Sequence, residues 1–162
     1  MTIATLGNAD ILKREKVAFL SSRKVPPSAV MQCYDWAGRM RDEGVCVMGG
    51  FQSPLEKDVL KILLKGTQPI VMVLGRKMWS EKYVPEEYRQ HIDNGRLLIV
   101  SPVSQSVGRV GCQSAALRNR YIVENAQTVV FATLSPDGEL DKMMRTFPYK
   151  HYMVLADIRQ NL

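Results

Sequence analysis

Short, wholly apolar runs recur along this chain, each followed by a stretch whose apolar residues keep helical spacing. Val17-Ala18-Phe19-Leu20, Val45-Cys46-Val47-Met48, Pro69–Leu74, Leu97–Val100, Thr128–Thr133 and Tyr152–Leu155 are the runs. A strand that is apolar on both sides must be covered on both faces, which is the condition of a parallel sheet between helical layers. The pattern therefore predicts a doubly wound, mainly parallel α/β domain, a Rossmann-like three-layer α/β/α sandwich, over residues 1–162. In such sheets ligands bind beyond the carboxyl ends of the strands.

The intervening helices carry their own signals. Pro26-Pro27-Ser28 opens one with Val30, Cys33, Tyr34, Ala37 and Met40 on one face, closed by Gly44. Ser53-Pro54-Leu55-Glu56 has a cap, a proline at the first helical position and a glutamate that completes a capping box. Gly66 ends that helix. Pro85–Asp93 and Gln113–Ala126 read as helices, Gly138–Arg145 as a short helix or turn, and Ser101–Gly111 as a loop.

Composition narrows the chemistry. Twenty-two basic residues against 16 acidic ones leave a net charge of +6, which favours anionic partners. The three cysteines (Cys33, Cys46, Cys112) are far apart, so neither a disulfide framework nor a cysteine-based metal site is expected, and a reducing compartment is. Cys33 and Cys46 fall in apolar patterns and read as core. No apolar stretch is long enough to span a bilayer, and Met1–Asp10 lacks the charge and apolar order of a signal peptide. The expectation is a cytoplasmic protein with no membrane partner.

The strand ends supply the candidate site. Ser21-Ser22-Arg23 offers two hydroxyls and a guanidinium after the first run, as a phosphate contact or as a polar loop capping the next helix. Gly49-Gly50 leaves the second run and allows close backbone approach ahead of Ser53. Gly75-Arg76-Lys77 and Arg109 add cations at later strand ends. Arg118-Asn119-Arg120 lies in the last long helix. With Ala115, Ile122 and Ala126 marking its sheet-facing stripe, Asn119 falls near the centre, with Arg118 and Arg120 about 100° to either side. Asn119 is thus expected as a buried strut and at least one flanking arginine as a ligand contact. Tyr83, Tyr88, Tyr149 and Tyr152 either stack on bases or, as is commoner, are ordinary half-buried aromatics. His91 reads as a surface residue.

No Walker-type GxxxxGK[ST], GxSxG elbow or metal-ligand spacing occurs. The reading leans against an enzyme and expects no cofactor.

Taken in order, Gly7-Asn8 with Ile11-Leu12, Ser21-Ser22-Arg23, Gly49–Lys57, Gly75-Arg76, Val84-Pro85, Gly95–Pro102 and an intact Arg118-Asn119-Arg120 resemble the DprA/Smf family of DNA-processing proteins, from about Leu6 to Leu155. That family belongs to a Rossmann-like group that also holds the LOG-type phosphoribohydrolases. The resemblance implies single-stranded DNA binding in a basic pocket, a homodimer, and a recombination protein as partner. It carries over Ser22, Arg23, Arg118, Asn119 and Arg120 as pocket residues, and Gly49 and Gly50 as the second-strand turn. The chain departs from the family at Ser21, where a glycine is usual, and lacks a histidine after the second strand. The alternative is a sensor or hydrolase of a small nucleotide, with Glu56 or Glu139 as its carboxylate. Ser135-Pro136-Asp137-Gly138-Glu139 stands where LOG-type enzymes carry Pro-Gly-Gly-x-Gly-Thr-x-x-Glu, which weighs against hydrolysis.

Overall fold

The computed structural model describes residues 3–156. Residues 1–2 and 157–162, which the expected domain span includes, lie outside the described residues. Seven strands, β1 (Ala4–Leu6), β2 (Val17–Leu20), β3 (Val47–Gly49), β4 (Ile70–Val73), β5 (Leu97–Ser101), β6 (Thr128–Phe131) and β7 (His151–Val154), form one sheet in the order β1-β5-β4-β3-β2-β6-β7. Every pairing is parallel except β1 with β5. The chain winds outward from β2 to β5, returns to β6 on the other side of β2, and so has its topological switch point between β2 and β6. This is the Rossmann-like three-layer architecture.

Alternation along the strands divides the core in two. Phe19, Val47, Met72, Ile99 and Val130 point to one face, where they meet Trp36 of α1 (Pro27–Glu43) and Val59 and Leu63 of α2 (Pro54–Leu64). Tyr88 and Ile92 of α3 (Glu86–Asp93) pack at the border of the same cluster. Ala18, Leu20, Met48, Val71, Val100 and Phe131 point to the other face. There they meet Ile122 and Val123 of α4 (Cys112–Asn125), with Leu140 and Met143 of α5 (Glu139–Thr146) at the border. Cys33 and Cys46 are both buried, and burial pushes each thiol up to about 11, so they stay protonated packing groups.

The helix ends follow the sequence signals. Gly44 adopts φ 74° and its N–H closes α1 on the Arg41 and Met40 carbonyls. Ser53 and Glu56 form the expected capping box: Ser53 Oγ accepts from Glu56 N–H at 3.3 Å, and Glu56 Oε1 accepts from Ser53 N–H at 3.0 Å. The far end of α2 has a less obvious partner, Arg96. Its Nη2, Nη1 and Nε donate to the carbonyls of Leu63 at 2.6 Å, Leu64 at 2.8 Å and Gln68 at 2.7 Å. A buried guanidinium thus neutralises the negative end of α2 without a carboxylate. His91, expected at the surface, is half-buried with Nδ1 3.2 Å from Arg96 Nη1. Arg96 donates there, which places the ring proton on Nε2. Burial first, then the Arg96 charge, hold the imidazole below its ordinary pKa.

Two elements escape the apolar-run reading. Strand β1 and the short 3-10 helix Ala9–Lys13 come from a segment with no apolar run; β1 is three residues long and takes its register from β5 alone.

Candidate functional site

The site sits where β3 and β4 end. Gly49 closes β3 with backbone packed on Phe19, and a methyl group there would lie 3.2 Å from the Phe19 carbonyl oxygen and from the Phe51 ring. Phe51 is held at φ 49°, a left-handed conformation unusual for a bulky residue, with its ring buried. Such strain persists only where the surroundings fix it. Here the buried ring is the anchor, and it turns the chain sharply from β3 into the cap of α2.

Over this turn lies Arg118, reaching from α4. Its side chain crosses the backbone of Gly50 so closely that a methyl group on Gly50 would lie 2.9 Å from Nε. A methyl group on Gly75, at the end of β4, would lie 3.5 Å from Nη1. Gly50 thus makes the slot that the guanidinium occupies, and Gly75 borders it at ordinary contact distance. Nε donates to Asn119 Oδ1 at 3.2 Å, and Nη1 donates to Gln52 Oε1. Arg118 is 8% exposed. Among the described residues it makes no ion pair. Its electrostatic counterweight is the buried Glu56, which acts through space. Burial pushes the Glu56 carboxyl up, against the hydrogen bonds of Ser53 and the charge of Arg118, which pull it down. Arg118 remains charged at any accessible pH. Its cationic fork is desolvated, held by neutral amide oxygens and directed at open space.

That space is a cavity of about 480 Å³, lined by the glycine slot, α2, β4 and the segment after β4. Lys57, Lys61, Arg76 and Arg118 give it four cations, against Glu87. Leu60, Leu64 and Met72 give it an apolar floor, and Trp79 and Tyr88 an aromatic wall. Their rings stack on each other with centroids 6.2 Å apart and planes 10° from parallel. The wall is stitched to the 101–111 loop: Lys77 N–H donates to the Val107 carbonyl at 2.7 Å, Met78 N–H to Gln105 Oε1 at 2.9 Å, and Ser101 Oγ to the Arg76 carbonyl at 2.6 Å. A planar apolar group on the aromatic wall with an anion on the cations is the ligand chemistry that such a lining accepts.

The structure gathers Gly50, Arg76 and Arg118 at this cavity. Ser53 is not among the lining residues, and its Oγ accepts from Glu56 N–H in the α2 cap. Gly49 lies beneath as packing. Asn119 is half-buried and Arg118 is the buried member of the triplet. The expected strut is therefore the arginine, and Asn119 steadies it. The stripe pattern misassigned them because this part of α4 passes over strand ends rather than over the sheet, so burial there follows the two glycines. Arg120 points elsewhere, with Nε 3.0 Å from Glu124 Oε1 and its guanidinium 5.7 Å from the centre of the Phe147 ring.

Ser22 and Arg23 are exposed and do not line the cavity. Ser21 Oγ donates to the Ser22 carbonyl at 2.8 Å and Ser22 Oγ to the Lys24 carbonyl at 3.1 Å, so this loop binds itself. Arg109 is exposed, next to the lining residue Val110. Glu139 lies outside the cavity, 3.7 Å from Lys142. Lys57, Lys61, Met72 and Trp79 were not among the expected site residues. For Trp79 the signal was the interleaving of cations and aromatics in Lys77-Met78-Trp79, Lys82-Tyr83 and Tyr88-Arg89; Lys57, Lys61 and Met72 carry no such signal.

The geometry makes a definite prediction. Gly50→Ala would place its methyl group against Arg118 and push the guanidinium out of the slot, while leaving the turn itself intact. Ligand affinity at the cavity should fall about tenfold, the loss of one charge-assisted hydrogen bond, with thermal stability little changed. Titration calorimetry beside a melting curve checks both.

The sequence matches no protein-family model and none of the curated proteins. Solved structures do match. DNA processing protein A (DprA) from Streptococcus pneumoniae superposes with a TM-score of 0.72 at 16% identity, over 94% of this chain and 54% of that one. The chain thus spans about half the length of the pneumococcal protein. DNA processing protein A from Helicobacter pylori, described for its single-stranded DNA binding mode, gives 0.70 at 15% identity, over 94% of this chain and 70% of that one. The molybdenum cofactor carrier protein of Chlamydomonas reinhardtii gives 0.59 at 11% identity, over 91% and 79%. At these identities the likeness is one of architecture: the chain has the Rossmann-like fold that DprA and the molybdenum cofactor carriers share.

Proposed function

We propose that the chain binds single-stranded DNA, or another phosphorylated nucleotide ligand, in the arginine-lined crevice at the carboxyl ends of β3 and β4. The observation that carries this is Arg118, a buried cation seated between Gly50 and Gly75 and facing a cavity with an aromatic wall. Phosphate would meet Arg118, Arg76, Lys57 and Lys61, and a base would lie along Trp79 and Tyr88. The single-strand binding described for the Helicobacter protein of the same fold supports this ligand class. On the same reading the chain is a cytoplasmic homodimer that hands its strand to a recombination protein.

The reading is of a binding protein. Glu56 is locked into the α2 cap by Ser53, and Glu139 lies away from the cavity, so neither stands ready to act on a bound nucleotide. The cavity volume does suit one nucleotide, which keeps a small-nucleotide sensor as the second reading.

Fluorescence anisotropy with labelled oligothymidylates, competed by mononucleotides, tests the proposal. Binding should weaken with salt, at about 0.7 counterions released per phosphate contacted. Absence of binding by oligomer and mononucleotide alike at low salt, or binding that ignores salt, overturns it. Stabilisation by mononucleotides with no binding of oligomers selects the sensor.

A further inference from the structure

We propose that Tyr83 forms a second stacking position beside the cavity, so that the natural occupant is a single strand of at least two nucleotides rather than a lone nucleotide. This rests on the nucleotide reading of the cavity.

Tyr83 is 70% exposed, yet its backbone is fixed. It ends the 3-10 turn Glu81–Tyr83, where its N–H donates to the Ser80 carbonyl at 2.9 Å. The next residue, Val84, is buried and its N–H donates to the Glu81 carbonyl at 3.3 Å. Arg89 Nη2 donates to that same carbonyl at 2.8 Å. A fixed backbone with an exposed ring loses little freedom on stacking. Lys82 Nζ lies 5.0 Å from the ring centre, so one face carries a cation and the other is left for a base.

The position fits a strand leaving the cavity. Trp79, Pro85 and Tyr88 line it, and Tyr83 lies between them in the chain, two residues from Pro85. Arg76, Lys77 and Lys82 follow the same segment, with Lys57 and Lys61 on α2. Its acids are Glu81, Glu86 and Glu87, and Glu86 is already tied to Arg89 at 3.2 Å. Single exposed aromatics are ordinary on protein surfaces. This one differs in being held rigid, next to cations, beside a cavity already walled by two aromatic rings. Alternating rings and cations are the arrangement that binds single strands without reading sequence.

The test keeps charge constant. Affinities for thymidine monophosphate, a thymidine tetramer, and a tetramer with one thymine and three abasic sites are measured on the full chain, Tyr83→Ala, Tyr83→Phe and Arg118→Ala. The thymidine tetramer should bind the full chain about tenfold more tightly than its abasic counterpart. Tyr83→Ala should erase that difference and leave the monophosphate unchanged, and Tyr83→Phe should retain it. Equal affinity for the two tetramers, or a Tyr83→Ala loss equal for every ligand, overturns the inference while the cavity reading stands. If no ligand binds, or Arg118→Ala leaves the monophosphate affinity unchanged, the cavity reading fails and the inference with it.

Discussion

Replacing Arg118 with alanine is expected to weaken ligand binding by about tenfold to a hundredfold, the worth of one or two charge-assisted hydrogen bonds in a desolvated site. The same anisotropy titration reads it, and the salt dependence should become shallower as a phosphate contact is lost. Alanine favours the helix at this mid-α4 position, so the element itself should persist. The substitution has a second, pH-dependent consequence. Glu56 is buried, its carboxyl raised by desolvation, and Arg118 is the charge that opposes the rise. Without that charge the carboxylate is harder to keep ionised. A raised folded-state pKa means that the native protein binds its proton at a pH where the unfolded chain has already lost it. Stability therefore rises as pH falls from neutrality toward the ordinary glutamate range. Arg118→Ala should lose more stability at pH 7 than at pH 5, and Glu56→Gln in that background should flatten the difference. A melting temperature equally lowered at both pH values would detach Glu56 from Arg118.

The largest effect on stability belongs to Arg96. Methionine there keeps the aliphatic stem and removes every donor, leaving the Leu64 and Gln68 carbonyls without that partner, while the Leu63 carbonyl still accepts from Gly66 N–H at 3.1 Å and Gln68 Nε2 at 3.3 Å. Orphaned buried acceptors cost about 1 kcal/mol or more each, so Arg96→Met should lose about 2 kcal/mol. For a chain of this size that is about 4–8 °C in melting temperature. Arg96→Lys should recover only part, because one ammonium cannot span carbonyls from both sides of the α2 terminus. His91 would regain an ordinary pKa in Arg96→Met only as far as the charge, and not burial, holds it down. A change below 1 kcal/mol in Arg96→Met would show that water satisfies these carbonyls as well as the guanidinium does.

Much of this architecture was legible because parallel strands announce themselves. Apolar runs such as Leu97–Val100 sit between helices with unambiguous ends, and the Ser53–Glu56 cap formed as read. Strand β1 was not legible, since Ala4–Leu6 is three residues long and its pairing lies almost a hundred residues away in β5. Within the site, the glycines and cations that follow β3 and β4 could be placed from the sequence. Which of them meet could not. Ser22 and Arg23 stand at the switch point on paper, yet their loop folds upon itself, while Arg118 crosses from the opposite helical layer to Gly50. Helical periodicity locates a face of α4 but not the end of the sheet beneath it. The one-residue error at Asn119 has that origin.

The strand order carries a consequence for how the chain is made. β2 lies in the middle of the sheet, but one of its two partners, β6, pairs Val17 with Thr128. During synthesis β2 therefore waits through more than a hundred residues as an open, wholly apolar edge, the kind that recruits foreign strands. Non-local parallel pairing of this sort is slow to close. The nascent chain is thus most vulnerable before Phe131 has emerged from the ribosome, and a fragment ending short of β6 would keep that adhesive edge permanently.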